Sequence, residues 1–334
     1  MVLGETQKML SDGVAALRKR RYSPGKRKPK FFKRRVKFKA KWRTKKAVVV
    51  KEDKDEGVSP LVKKYWVQRY DLFLRYDQGI KMDEEGWFSV TPEQIAVRHA
   101  VRCGGGVVID GFAGVGGNAI QFATMCHHVI AIDIDPRKIA MAFENAKIYG
   151  VEDHIEFIVG DFFQLAPSLK HETKACYISM GWIAAYWIID YVFCTFTNQY
   201  VLSKVRVFRF PKDHKMRPLQ GFLGILHVQK IQGNVVFLSP PWGGPAYRAK
   251  ESFTLDSLKP KNGYSLFQVA QSIAPNVIMY LPRNVDLLQV EELSWLSSPP
   301  LKVEIEENML HGRLKSITAY FGDIAFADLS MFEL

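Results

Sequence analysis

One turn constrains this chain more than any other feature: Asp110-Gly111-Phe112-Ala113-Gly114-Val115-Gly116-Gly117-Asn118. It follows an apolar run at 107–110 and opens a periodic apolar stretch at 118–125. A buried strand that exits into glycines and re-enters as a helix brings backbone N–H groups close to a ligand at the helix N-terminus. It also commits its surroundings to alternating strands and helices. That alternation continues. Strands are predicted at 129–133, 155–159, 235–238 and 277–281, and helices at 136–149, 266–273 and 285–296. Two further strands, at 303–309 and 317–320, flank His311-Gly312. The expected fold is α/β, a Rossmann-like, mostly parallel sheet with helices on both faces and ligands at the carboxyl ends of its strands.

The turn suits two cofactor classes. Gly114-x-Gly116-x-x-Ala119 fits the dinucleotide fingerprint, with Asp133 at about the expected spacing. The same turn suits S-adenosylmethionine, and Asp110 decides for it. A carboxylate at that strand end repels a pyrophosphate but accepts hydrogen bonds from the cationic amino group of a methionine moiety. Asp133, ending the second strand, is placed to accept both ribose hydroxyls. Asp161, ending the third, is placed to accept from the adenine amine. Any one of them reads as an ordinary turn residue; three at successive strand ends do not. The candidate cofactor residues of this region are Asp110, Gly114, Gly116, Asn118, Asp133 and Asp161.

A second loop is more specific. Ser239-Pro240-Pro241-Trp242-Gly243-Gly244-Pro245 leaves a central strand. Two prolines stiffen that exit and free backbone carbonyls, and glycines flanking Trp242 leave room for a flat ligand on its face. The pattern resembles the Asn/Asp-Pro-Pro-aromatic loop of methyltransferases that alkylate exocyclic amines of bases. Ser239 departs from that pattern as a weaker acceptor, which a positively charged base would offset. Ser239, Pro240 and Trp242 are the candidate catalytic residues.

Charge divides the chain. Net charge is +13, yet residues 1–46 hold 18 Lys and Arg against Glu5 and Asp12, while the other 288 residues hold 29 basic and 32 acidic side chains. Residues 1–58 therefore read as a solvated basic tail, with Arg18–Arg21, Lys26–Lys28 and Lys33–Arg35 suited to nuclear import and RNA attraction. The near-neutral body argues against non-specific coating of nucleic acid. Residues 59–100 read as a helical N-terminal extension. It has one helix over 61–80, striped by Trp66, Tyr70, Phe73 and Leu74, and a second opened by Thr91 as N-cap with Pro92 first. Four scattered cysteines form no CxxC pair and no metal site is expected. The longest strongly apolar run, 177–189, is too short for a membrane span of about 20 residues.

Taken together, these residues resemble the RNA cap guanosine-N2 methyltransferases, the trimethylguanosine synthases. The likeness covers about 61–170 and 233–325. It rests on Lys64-Tyr65-Trp66, Gly86-Trp87-Phe88-Ser89-Val90-Thr91-Pro92-Glu93, Asp110 to Phe122, Val129 to Pro136, Ser239 to Pro245, Leu281-Pro282-Arg283-Asn284 and Leu314 to Asp323. Ala113 stands where the family is expected to carry a cysteine. The resemblance implies a seven-stranded class I core over 101–330 and methyl transfer from S-adenosylmethionine to N2 of a 7-methylguanosine cap. Two rounds would give 2,7-dimethyl and then 2,2,7-trimethyl caps on small nuclear and nucleolar RNAs. It implies that Trp242 stacks on the 7-methylguanine and that Ser239 and Pro240 hold the amine. It further implies that Lys64, Tyr247, Arg283 and Lys315 face the cap phosphates, and that Phe73 and Thr91 join the aspartates on the cofactor side. Expected partners are 7-methyl-capped RNA and ribonucleoprotein proteins, with no membrane, in the nucleus, at the nucleolus or Cajal body.

Residues 171–232 break the pattern. They are aromatic and β-branched without period or cap, and they force apart 165–170 and 233–236. We expect an atypical insert, such as translated intron sequence, in place of a short link. The alternatives are an adenine-N6 or guanine-N2 methyltransferase acting on internal nucleic-acid bases, and a non-catalytic cap-binding protein.

Overall fold

The computed structural model describes residues 33–39, 60–169 and 234–326, and the backbone of five short strands between 174 and 230. The first strand is β1 (Lys33–Lys39), and the helical extension follows as α1 (Pro60–Trp66), α2 (Arg69–Leu72), α3 (Gly86–Ser89) and α4 (Glu93–Cys103). The core alternates as β2 (Val107–Asp110), α5 (Gly117–Ala123), β3 (His128–Asp133), α6 (Pro136–Tyr149), β4 (Ile155–Val159) and α7 (Phe162–Leu169). The strands of the insert are β5 (Lys174–Tyr177), β6 (Val192–Phe196), β7 (Gln199–Ser203), β8 (Arg206–Val207) and β9 (His227–Lys230). Then come β10 (Val235–Leu238), α8 (Gly263–Gln271), β11 (Asn276–Pro282), α9 (Leu287–Leu293), β12 (Val303–Leu310) and β13 (Arg313–Phe321).

One sheet runs β1-β12-β13-β11-β10-β2-β3-β4-β8. Its inner seven strands are the expected seven-stranded sheet, and β1 and β8 add one strand at each edge. Pairings between β11, β10, β2, β3 and β4 are all parallel, and β13 runs antiparallel to both β11 and β12. All four residues of β10 are buried, as a strand covered on both faces requires. Helices α4, α5 and α6 pack side by side, and α8 packs on β11. Asp135 caps α6 by accepting from the Arg137 N–H at 2.8 Å, and Gly150 ends it at φ +71°.

Helix α4 is tied to β12 by two ion pairs. The buried Arg102 reaches Glu304 through two nitrogens, at 2.9 and 3.2 Å, and Arg98 reaches Glu306 at 3.0 Å. A third Arg102 bond goes to the Ile324 carbonyl at 2.8 Å. Removing one partner of such a buried pair costs about 3–5 kcal/mol, because the other is left charged and unpaired.

Three expectations about the extension and tail are corrected. The helix over 61–80 is two short helices and a 3-10 turn at Tyr76–Gln78, with the Arg69 guanidinium donating to the Trp66 carbonyl at 3.1 Å where the first helix ends. Trp66, Tyr76 and Trp87 then close into an aromatic cluster with centroids 5.5–5.6 Å apart. Thr91 is not a cap: α4 starts at Glu93 after Pro92, with no side-chain cap. Lys33–Lys39, read as part of a solvated arm, is a strand parallel to β12. Its alternation explains this: Arg35 and Lys37 are exposed and pair with Glu291 and Glu307, while Val36 and Phe38 are half-buried. The remainder of the tail lies outside the described residues.

The insert, apart from its strand backbones, also lies outside them. Strands β5 and β9 pair antiparallel, with Lys174 opposite Lys230. Among the described residues no helix is long and apolar enough to cross a membrane.

Candidate active site

Strand order reverses between β2 and β10. From β2 the sheet proceeds to β3 on one side, and from β10 to β11 on the other. Ligand crevices open at the carboxyl ends of strands at such a point. Here a cavity of about 540 Å³ opens there, with the glycine turn forming one wall and the Ser239–Trp242 loop another.

The two glycines singled out in the turn serve different ends. Gly114 takes φ +54° and donates its N–H to Asp133 Oδ2 at 2.8 Å, with open space where a Cβ would stand. Gly116 takes φ +91°, and a Cβ there would come within 3.0 Å of Ala142 Cβ and 3.2 Å of its Cα. Gly116 therefore lets α6 approach the turn, and it is Val115 and Gly117 that reach the cavity wall. Asn118 and Thr91 are on that wall, joined by a 2.7 Å bond from Asn118 Nδ2 to Thr91 Oγ1.

The three aspartates differ. Asp110 is wholly buried behind Gly111 and Phe112. Its Oδ1 accepts from the Phe112 N–H at 3.3 Å, and its Oδ2 has no protein partner. Burial pushes its carboxyl up to about 7, against the Phe112 N–H, with the charge of Asp133 adding to the rise. Asp133 lines the cavity, accepts from Asp135 and Gly114 N–H groups, and is also raised by burial. Asp161 lines the cavity while its Oδ1 caps the start of α7 through the Phe163 N–H at 2.8 Å. Phe73 is not on the wall. It sits one layer behind, 1% exposed and packed on Tyr149, with its ring 3.9 Å from where a Gly117 Cβ would stand.

On the opposite wall, the Ser239 hydroxyl donates to the Phe112 carbonyl at 3.2 Å. With its proton so engaged, Ser239 presents its oxygen lone pairs as acceptors. Pro240 lines the cavity beside it. Trp242 is half-buried, tilted 40° over Tyr280 at 5.3 Å and held by the edge of Tyr247 at 5.2 Å. Tyr247 is buried on the wall. Arg283 is exposed just past β11, and the half-buried Lys315 on β13 is outside the wall with it. Burial and the positive charges of Arg248 and Arg283 hold the Lys315 ammonium below the usual lysine range. Such a group of cations favours an anion at that edge. Lys64 is on α1, and its side chain lies outside the described residues.

Several wall residues escaped the sequence reading. Arg248 shares the wall with Tyr247, 5.8 Å from its ring, and with Tyr65, two tyrosines from distant segments of the chain. Tyr280 read only as part of a buried strand. Lys138 and Glu85 form a 2.6 Å ion pair on the cofactor side. None has a local sequence signature. Among the described residues no group of three His, Cys, Asp or Glu stands ready for a metal ion.

These groups fit S-adenosylmethionine. An unpartnered, buried carboxylate oxygen at the end of β2 suits an ammonium group, and acceptors at the ends of β3 and β4 suit hydroxyls and an amine.

A family model described as RNA cap guanine-N2 methyltransferase matches residues 105–324. A trimethylguanosine synthase of Schizosaccharomyces pombe is 35% identical over 79% of this chain and 87% of its own length. One of Saccharomyces cerevisiae is 29% identical over 79% of this chain and 68% of its own. A solved methyltransferase structure from Geobacter sulfurreducens is matched at a TM-score of 0.36 and 11% identity, over 79% of this chain and 90% of that one.

Asp110 generates a test. Its carboxyl ionises near pH 4 in the unfolded chain and near 7 in the fold, so the fold holds the extra proton between those values. Stability therefore falls by a few kcal/mol as pH rises from about 4 to about 7 and levels above that. A cofactor ammonium requires the ionised form, so S-adenosylhomocysteine binding should strengthen up to about pH 7 and release close to one proton at pH 6 but none at pH 8. Calorimetry in buffers of different ionisation enthalpy reads this directly. Asp110→Asn should abolish the proton release; pH-independent binding by the wild type would contradict the assignment.

Proposed function

The chain belongs to the RNA cap guanine-N2 methyltransferase family, and on that premise we propose that it converts 7-methylguanosine caps of small nuclear and nucleolar RNAs to 2,2,7-trimethylguanosine in two rounds. It is an S-adenosylmethionine-dependent enzyme acting on 7-methylguanosine-capped RNA. The observation that carries the proposal is the meeting, in one cavity, of the glycine turn, the acceptor-oriented Ser239 and the half-buried face of Trp242.

S-adenosylmethionine supplies an electrophilic methyl group on a good leaving group. The residues of this chain then have positioning as their main task, which accounts for much of the rate in such displacements. Trp242, backed by Tyr280 and Tyr247, offers a stacking platform for a cationic 7-methylguanine, and tryptophan is the best aromatic for a cation. Ser239 accepts a hydrogen bond from the N2 amine, with its own proton held on Phe112, so the amine lone pair is aimed and not tied up. The charge on the methylated ring makes the amine proton easier to lose, which offsets the modest strength of a hydroxyl acceptor. Arg248, Arg283 and Lys315 favour the polyphosphate bridge.

The site chemistry leads us to expect that 7-methylation precedes N2 methylation. A desolvated cation–π stack is worth about 2 kcal/mol or more, roughly a thirtyfold preference. Purified protein, labelled S-adenosylmethionine and RNAs with methylated or unmethylated caps, with products resolved by mass, measure it. Trp242→Ala should lose both the discrimination and most of the activity, and Trp242→Phe should lose less. Equal rates of the wild type on both caps would refute the stacking role. Uncapped RNA in the same assay separates this reading from modification of internal bases.

Nuclear residence, at the nucleolus or Cajal body, is the compartment we propose, supported by the basic clusters within residues 18–28. Deleting residues 1–32 spares β1. The deletion should abolish nuclear accumulation of a fluorescent fusion while leaving turnover on a cap dinucleotide largely intact. Undiminished accumulation would overturn the import role.

A further inference from the structure

His99 takes no part in the chemistry above, yet it is completely buried behind the cavity between its two walls. Its Nδ1 faces Asn118 Oδ1 at 3.0 Å and its Nε2 faces Thr318 Oγ1 at 2.9 Å. Its ring packs 5.4 Å from Tyr280, edge on, and 5.2 Å from Phe237.

The donors and acceptors order themselves along one line. Asn118 Nδ2 donates to Thr91, so Asn118 Oδ1 faces His99 and requires a donor there. The imidazole proton is therefore on Nδ1, and Nε2 accepts from the Thr318 hydroxyl. Asn308 Nδ2 donates to Thr318 Oγ1 at 2.8 Å and to Ser316 Oγ at 3.2 Å. Thr318 is also the register partner of Tyr280 across the antiparallel β11–β13 pairing. Tyr280 lies under Trp242. The line runs from the cofactor wall, through the core, to the underside of the cap platform. Burial holds the imidazole down to about 4, so it stays neutral across the working pH range and the order is kept.

We propose that His99 is a positioning residue that fixes the cofactor wall, Thr91 and Asn118, in register with the cap platform, Tyr280 and Trp242. The inference rests on the cap-methylation reading above. An apolar side chain of similar size would fill the space with no directional bond to either wall. A methyl transfer between two separately bound partners is sensitive to that register: a shift of about 1 Å costs about a hundredfold. His99 itself lines neither side of the cavity, so its loss removes no direct contact to cofactor or cap. The signature is thus a loss in kcat with little change in binding.

The experiment measures kcat and the separate KM values for S-adenosylmethionine and 7-methyl-capped RNA, with thermal stability alongside, for the full chain and three variants. His99→Leu should lower kcat about tenfold or more while each KM stays within about threefold. His99→Asn, which restores an N–H donor towards Asn118, should recover at least about threefold of that loss. Thr318→Val removes one hydroxyl from the line, touches neither pocket, and should lower kcat about threefold or more. Folded variants with a lower melting temperature and unchanged kcat would overturn the proposal, since a merely structural role does that. Should the His99 variants fail to fold, unchanged kcat in Thr318→Val overturns it alone. An inactive wild type would remove the functional reading itself, and this inference would fall with it. An active wild type with unaffected variants removes only the inference.

Discussion

The hydrogen bond from Ser239 to the Phe112 carbonyl joins the two loops on which the site depends. One loop leaves β2 and the other leaves β10, and these strands are parallel neighbours at the point where strand order reverses. A second bond, from the Gly111 N–H to the Phe237 carbonyl at 3.0 Å, continues the strand pairing into the turn. The glycine turn and the Ser-Pro-Pro-Trp loop thus form one rigid unit. In the function we propose, methyl donor and acceptor amine are presented from its two sides. The same bond decides the polarity of Ser239, because a hydroxyl that has given its proton to a carbonyl can only accept from the amine. The apparent weakness of serine at this position is answered by orientation.

The rest of the fold supports that unit. Helix α4 is held to β12 by Arg98 and Arg102, and it carries His99 into the space behind the cavity. The buried carboxylates Glu304 and Glu306 are each matched by an arginine, and Tyr320 adds a further bond to Glu306 at 3.2 Å. Asp110 is the exception, a buried carboxyl with one unpartnered oxygen at the cofactor end of β2. Glu304 and Glu306 are paired within the protein while one oxygen of Asp110 is not, a division expected where stability yields to binding.

Much of this was legible from local chemistry. Glycines with positive φ, prolines that stiffen a strand exit and carboxylates at strand ends announce themselves in sequence, and the helix read over 136–149 runs from Pro136 to Tyr149. Gly116 was placed correctly in the turn, but its crowding against Ala142 depends on how α6 packs. What escaped was assembled over distance. Tyr65, Arg248 and Tyr280 lie in three unrelated segments, and only the closed fold brings them to one wall. Thr91 looked like a helix cap because its neighbours fit that role, but a partner 27 residues away, Asn118, takes its hydroxyl. β1 was hidden because its net charge outweighed a two-residue alternation that becomes meaningful only beside the acidic groups of its neighbours.

The most direct measurement is steady-state kinetics of Ser239→Ala on 7-methyl-capped RNA. If the Phe112-held hydroxyl aims the amine, kcat falls by about tenfold to a hundredfold while the KM for capped RNA hardly changes, because the stack on Trp242 and the cations around the phosphates remain. An unchanged kcat would contradict the account, since it would mean that the amine is aimed without the Ser239 hydroxyl held on Phe112.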